Sequence, residues 1–75
     1  MKTHLEIGDK IKRFELSKEI EFEYVVVSLT KTQAKTADGY RFKRELNYNV
    51  TKPNEKCVAE VYKIGHENSK RYFLI

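Results

Sequence analysis

The chain of 75 residues contains one cysteine, one proline and three glycines that stand apart from one another. Because Cys57 has no second cysteine in the chain, it cannot form an intramolecular disulfide, which favours a reducing, intracellular setting. A domain of this size buries only about two-thirds of the surface that its unfolded chain exposes. These limits predict a single small domain, residues 1–75, that depends on its apolar core for stability.

Long apolar runs are also absent from the sequence. Residues 24–27, an apolar run as long as any in the sequence, are far too few to span a bilayer. The first nine residues include Glu6 and Asp9 and contain no apolar segment like that of a signal peptide. We therefore expect a cytoplasmic protein without membrane association, with residues 1–6 as a mobile N-terminal segment.

Groups that could act together in catalysis or metal binding are few. The histidines are His4, near the N-terminus, and His66, in a polar turn, and together with Cys57 they show none of the paired spacings of a zinc site. No Ser-His-Asp or Cys-His arrangement can be read from the order of the residues, and isolated glycines form no phosphate-binding loop. We expect no enzyme activity, no metal, no cofactor and no small-molecule substrate.

Apolar and polar residues alternate with period two in several segments, and none shows the period of an amphipathic helix. The predicted strands are residues 10–16 and 20–29, the two arms of a hairpin around Asp38-Gly39, and residues 46–50, 56–64 and 71–75. Beyond Tyr24 both faces of the second strand are apolar, which indicates a bulge or a strong bend. Five to six short strands predict an all-β fold, a small antiparallel barrel or sandwich. Its predicted aromatic core is Phe14, Phe22, Phe42 and Phe73.

The length of the hairpin loop decides which residues face each other. A two-residue loop at Asp38-Gly39 would place Ala34 opposite Lys43 and mix apolar with charged side chains on one face. A three-residue loop, residues 37–39 with Gly39 in a left-handed conformation, places Ala34 opposite Phe42 instead. We predict the three-residue loop, because it keeps one face of the hairpin apolar.

This register crowds positive charge onto the other face of the hairpin. Gln33 pairs with Lys43, and Lys35 lies directly across from Arg41. Like charges that face each other on neighbouring strands destabilise the pair, so fold stability alone does not select this arrangement. A polyanionic partner would convert the repulsion into attraction, and we therefore predict polyanion binding here.

Charge is also divided along the chain, within a net charge of +4. Residues 15–23 contain four glutamates against Lys18, whereas residues 31–44 contain five lysines and arginines against Asp38. A basic sector attracts nucleic acid through its phosphates, independently of base sequence. The acidic sector lies on a different strand, so the two charges are expected on separate parts of the surface.

Three segments resemble small SH3-like barrel proteins encoded by bacteriophages. They are Gly8-Asp9-Lys10-Ile11, Leu29-Thr30-Lys31-Thr32-Gln33-Ala34 and Asp38-Gly39-Tyr40-Arg41-Phe42-Lys43-Arg44. The resemblance covers roughly residues 7–45, and residues 46–75 do not share it. It implies an SH3-like barrel made by a phage and present in the host cytoplasm. Several small phage proteins bind host nucleic acid or block host defence factors, so it also implies action on a host process.

The first predicted function is a nucleic-acid-binding module for RNA or single-stranded DNA. Duplex DNA is not favoured, because the predicted fold offers no recognition helix for the major groove. In this interpretation the basic side chains contact phosphates, and Gln33 and an exposed tyrosine contact bases. The predicted site residues are Lys31, Gln33, Lys35, Tyr40, Arg41, Lys43 and Arg44, with Lys10, Lys12 and Arg13 extending the track.

The alternative function is a protein-binding inhibitor or adaptor. The basic hairpin would then dock on an acidic surface of a host protein or ribonucleoprotein, while the glutamates of residues 19–23 face a basic one. A homo-oligomer joined basic face to acidic face is a third alternative. The sequence does not decide between these partners.

Overall fold

The computed structural model describes residues 2–15, 18–65 and 71–75. These ranges contain no helix, and so none long and apolar enough to cross a membrane. They contain six strands that form one antiparallel sheet in the order β4-β3-β2-β1-β6-β5. The strands are β1 (Lys10–Glu15), β2 (Lys18–Leu29), β3 (Gln33–Thr36), β4 (Arg41–Lys43), β5 (Ala59–Val61) and β6 (Arg71–Leu74).

The sheet curls until its two ends meet along what we call the closing seam, the hydrogen bonds between β4 and residues 62–64. Phe42 bridges Lys63 in antiparallel fashion. The Lys43 N–H donates to the Tyr62 carbonyl at 2.9 Å, and the Ile64 N–H donates to the Arg41 carbonyl at 2.9 Å. The seam satisfies backbone groups that an open edge would leave unpaired. The prediction of a small, barrel-like, all-β fold is confirmed.

The main core lies inside the curled sheet, where the inward-facing residues of all six strands meet. Tyr24, Phe42 and Tyr72 form an aromatic cluster there, with ring centroids 5.3–6.2 Å apart. Residues of β6 alternate between two environments, because successive side chains of a strand point to opposite faces. Tyr72 and Leu74 enter the main core, whereas Phe73 packs edge-on against Phe14 on the opposite face, at 5.4 Å.

Cys57 completes this second cluster with Phe14 and Phe73. Its thiol is buried, and burial raises the pKa of the thiol above its ordinary value. Three of the four predicted core phenylalanines, Phe14, Phe42 and Phe73, are therefore confirmed as buried.

The prediction that Phe22 lies in the core is wrong, because its side chain is 57% exposed. The cause is an irregular pairing between β1 and β2. Lys12 pairs with Glu23, and the next pair is Phe14 with Glu19, so β2 accommodates two extra residues at a bulge. Phe22 covers the guanidinium of Arg13 instead, 5.1 Å from its ring centroid.

Two predicted strands are shorter in the structure than in the sequence pattern. Residues 46–50 contribute a single bridge, between Asn47 and Glu60, because the Asn47 side-chain oxygen accepts the N–H of Asn49 and turns the chain. Of residues 56–64, only Ala59–Val61 forms a strand of the sheet, β5. Leu16, the last residue of the first predicted strand, and His66 with the rest of its polar turn after Gly65 lie outside the described residues.

Residues 2–6 of the N-terminal segment pack against the rest of the domain. Leu5 is fully buried in the main core, and its N–H donates to the Arg44 carbonyl at 2.7 Å. The Leu46 N–H donates to the Thr3 carbonyl at 3.0 Å, and the Tyr48 hydroxyl donates to the Lys2 carbonyl. Residues 2–6 thus pair with the chain that follows β4, because Leu5 supplies apolar surface that the small core needs.

Candidate nucleic-acid interface

The basic hairpin, defined as β3, β4 and the loop at residues 37–39, has the predicted register. Ala34 lies opposite Phe42, and both side chains are fully buried. The Thr36 N–H donates to the Tyr40 carbonyl at 2.9 Å, and Gly39 has a φ of 89°, a conformation that side chains disfavour. The buried pair selects the register, since a slip of one residue would place Ala34 opposite a charged residue and put one of the two apolar side chains on the outer face.

Lys35 and Arg41 lie directly opposite each other on the outer face of this hairpin. Both side chains are exposed, as is that of Lys43 two residues further along β4. In the ranges that the structure describes, no Asp or Glu forms an ion pair with any of the three. Opposite residues of an antiparallel pair have Cα atoms about 4.5–5.5 Å apart, so Lys35 and Arg41 repel each other. Since no described carboxylate pairs with them, this repulsion is not compensated.

A groove of about 220 Å³ runs beside this pair. A bulge between Val26 and Ser28 places Ser28 opposite Lys35 and starts the groove. The following turn is fixed by Thr30, whose side-chain oxygen accepts the Gln33 N–H at 3.0 Å. The groove is lined by Ser28, Leu29, Thr30, Gln33, Lys35 and Arg41. Two cations, two hydroxyls and an amide around an apolar wall suit a phosphate together with its attached sugar or base.

Arg44 makes contacts within the protein that the sequence did not predict. It is half-buried, and its Nε donates to the Leu5 carbonyl at 3.2 Å while its Nη1 donates to the Thr30 carbonyl at 3.1 Å. Arg44 therefore joins the N-terminal segment to the turn before β3. Lys31, which is exposed, lies with Arg44 on a second, wider cavity of about 550 Å³ that Lys2, Thr3, His4 and Glu6 also line.

The three basic residues of β1 do not join the hairpin. β2 separates β1 from β3 in the sheet. The Lys10 ammonium lies 3.9 Å from Glu23, and the Lys12 ammonium lies 3.5 Å from Glu19. Arg13 lies under Phe22, with its guanidinium 4.0 Å from Glu15. These cations are each matched by a carboxylate, so the predicted extension of the track through Lys10, Lys12 and Arg13 is not formed.

Tyr40 lies on the core side of the hairpin, away from Lys35 and Arg41. Its ring packs edge-on against Tyr24 at 5.1 Å, and the Lys63 ammonium lies 4.3 Å from its centroid. Tyr24 itself is buried, and burial raises the pKa of its hydroxyl. Tyr40 therefore closes the end of the core, and both contacts cover parts of its ring.

Tyr62, which is not among the predicted site residues, also lies beside the basic hairpin. The closing seam places Tyr62 opposite Lys43, and the Tyr62 side chain is 46% exposed. Its hydroxyl accepts a hydrogen bond from the Asn47 side-chain amide at 2.8 Å. A local pattern does not reveal this proximity, because it depends on the two ends of the sheet meeting.

No protein-family model, curated protein sequence or solved structure matches the chain. The resemblance to phage SH3-like barrel proteins therefore stays a prediction. In the described part of the chain, no three His, Cys, Asp or Glu side chains are grouped as a metal site would require. The basic hairpin and its groove are the candidate site.

Proposed function

We propose that the protein is a small nucleic-acid-binding module that holds RNA or single-stranded DNA against the outer face of the basic hairpin. The observation that carries the proposal is the exposed Lys35–Arg41 cross-strand pair without a carboxylate partner among the described residues. Such a pair costs the free protein about 0.2–1 kcal/mol. A phosphate between the two cations removes that cost and releases counterions on binding.

The preference for single strands follows from the shape of the surface. The described ranges contain no helix to enter a major groove, and the basic side chains stand on a curved sheet beside a narrow groove. Sheet surfaces of this kind bind single strands by tracking the backbone with cations and leaving bases free to contact the protein. Lys35, Arg41 and Lys43 contact phosphates in this proposal, and Gln33 lies in the groove to hydrogen-bond a base.

The protein-docking alternative has weaker support, because it needs an acidic face as well as a basic one. Glu19 and Glu23 of β2 are each paired with a lysine of β1. Their charge is thereby partly compensated, which reduces its value for attracting a basic partner. Together with the resemblance to phage proteins, the basic hairpin supports action on the nucleic acid of a host cell, in its cytoplasm.

The test is a fluorescence-anisotropy titration of labelled single-stranded RNA and DNA. The triple variant Lys35→Ser, Arg41→Ser, Lys43→Ser removes the proposed phosphate contacts. A matched control, Lys18→Ser, Lys52→Ser, Lys56→Ser, removes the same charge from exposed lysines outside the hairpin. We expect micromolar binding by the wild-type protein and the control, and loss of binding in the triple variant.

The salt dependence of the affinity distinguishes binding through phosphates from binding through uncharged contacts. Between about 50 and about 200 mM salt the affinity falls steeply when several phosphates are neutralised. Absence of binding by folded wild-type protein at the lower salt concentration would overturn the proposal. Equal losses in the triple variant and the control would show that net charge, and not the hairpin, determines binding.

A further inference from the structure

The closing seam brings an exposed aromatic ring to the edge of the basic face. Phe42 bridges Lys63, so the next residues along, Lys43 and Tyr62, are opposite each other. Side chains of directly opposed residues in an antiparallel pair project to the same face of the sheet. Lys43 also lies opposite Gln33 on its other side. One row across the outer face therefore runs from Gln33 through Lys43 to Tyr62.

The ring of Tyr62 is held in place by its hydroxyl. The Asn47 side-chain amide donates to it at 2.8 Å. The backbone of Asn47 is fixed in turn, because it exchanges hydrogen bonds of 3.0 and 2.8 Å with Glu60. A ring positioned from its far end keeps its faces available, and it loses little further freedom when a flat ligand lies against it.

The other four tyrosines of the chain do not offer such a face. Tyr24 and Tyr72 are buried. Tyr40 contacts Tyr24 and Lys63, and Tyr48 is half-buried, with Lys52 over its ring at 5.9 Å. Among the described side chains, no aromatic ring or cation is stacked on Tyr62.

We infer that Tyr62 is a stacking platform for an unpaired nucleobase, and that the ligand of the basic hairpin is a strand whose bases are free to leave their own stack. This inference rests on the proposed function, since it assumes that nucleic acid binds at the hairpin. Adjacent strands lie about 4.7–4.9 Å apart, so Tyr62 is within reach of a nucleotide whose phosphate contacts Lys43. A paired base in a duplex cannot present its face in this way.

The test compares two ligands as well as two variants. One ligand is a thymidine oligonucleotide of about ten nucleotides, and the other is an abasic strand of equal length, which keeps the phosphates and lacks the bases. Tyr62→Leu removes the aromatic face, and Tyr62→Phe keeps it without the hydroxyl. We expect Tyr62→Leu to weaken binding of the thymidine strand on the order of tenfold. Binding of the abasic strand stays unchanged, and Tyr62→Phe lies between wild type and Tyr62→Leu, because it keeps the aromatic face and loses the hydrogen bond that positions it.

Equal affinity of the wild-type protein for both strands, with no effect of Tyr62→Leu, would overturn the inference and leave the proposed function standing. If the proposed function is wrong, the result is different. Either neither strand binds, or the triple variant of Lys35, Arg41 and Lys43 binds both strands as the wild-type protein does. A measurement on wild-type protein avoids dependence on the folding of the variant. The ring protons of Tyr62 shift when the thymidine strand binds and do not shift with the abasic strand, whereas equal shifts would contradict stacking.

Discussion

Lys35 and Arg41 face each other across two antiparallel strands, on the exposed side of a hairpin whose other side is filled by Ala34 and Phe42. The buried pair fixes the register, and the register then fixes the cationic pair. The protein therefore holds two like charges together by means of its core. A relationship of this kind is expected where a surface serves a ligand at some expense to stability.

Arg41→Glu separates stability from binding. The variant replaces a repulsive pair with Lys35 opposite a glutamate, so we expect the free energy of unfolding to rise by about 0.5 kcal/mol. The gain shrinks at high salt because both groups are exposed, and nucleic-acid binding is lost. Urea unfolding at low and high salt measures the first effect. A variant less stable than wild type would contradict the assignment of repulsion to this pair.

Gly39→Ala tests the loop that sets the register. A Cβ at this position meets no heavy atom within 4 Å, so the substitution creates no clash. The φ of 89° is nevertheless unfavourable for alanine, and we expect a loss of about 1–2 kcal/mol in unfolding free energy. Gly39→Asn is the control, because asparagine tolerates left-handed conformations better. Equal stability of the alanine variant and wild type would contradict a left-handed loop residue.

Arg44→Gln distinguishes a structural arginine from a ligand contact. The substitution removes the bonds from the guanidinium to the Leu5 and Thr30 carbonyls, and we expect a loss of about 1.5–3 kcal/mol. Lys31→Gln is the matched control, because Lys31 is exposed and its substitution removes one positive charge close to Arg44. Its unfolding free energy should stay at the wild-type value. If both variants are equally stable, Arg44 does not anchor the N-terminal segment.

Alkaline pH should unfold the protein through its buried tyrosines. Burial raises the pKa of Tyr24 and Tyr72 above the ordinary value of 10.0. The unfolded chain therefore releases these protons more readily, so the stability they contribute is complete below pH 10 and is lost as the pH rises above it. The hydrogen bond to Asp9 also raises the pKa of Lys2, which acts in the same direction.

Absorbance at the tyrosinate band measures this effect directly. Of five tyrosines in the chain, Tyr24 and Tyr72 should ionise only as the protein unfolds, as followed in parallel by circular dichroism. In a Tyr24→Phe variant the fall of stability with pH becomes less steep, which separates the tyrosines from Lys2. Ionisation of all five before any loss of structure would contradict the burial of the two rings.

The parts of this fold that the sequence predicted are those that local patterns control. The hairpin register followed from Ala34, Phe42 and Gly39, which lie within nine residues of one another in the sequence. Phe22 was misplaced, because strict alternation cannot show where a bulge shifts the pairing of β1 with β2. Phe22 lies inside the irregular segment between Glu19 and Glu23, where the side-chain face is set by the bulge and not by alternation.

Only the part of the candidate site that lies within one hairpin could be predicted from local sequence patterns. Lys35, Arg41 and Lys43 belong to one hairpin, and their common face follows from period two. The role of Arg44 depends on Leu5, 39 positions away, and the position of Tyr62 depends on the closing seam. Contacts of such separation leave no local periodic signal, since they form only when the sheet curls on itself.

The most direct test of the central claim is a map of the amide resonances that shift when a single-stranded oligonucleotide is added to isotopically labelled protein. We predict that the largest shifts fall on residues 28–35, 41–43 and 62, the outer face of the basic hairpin with its groove and seam. Shifts of the same size along β1 or at residues 19–23, with the hairpin unaffected, would contradict the account.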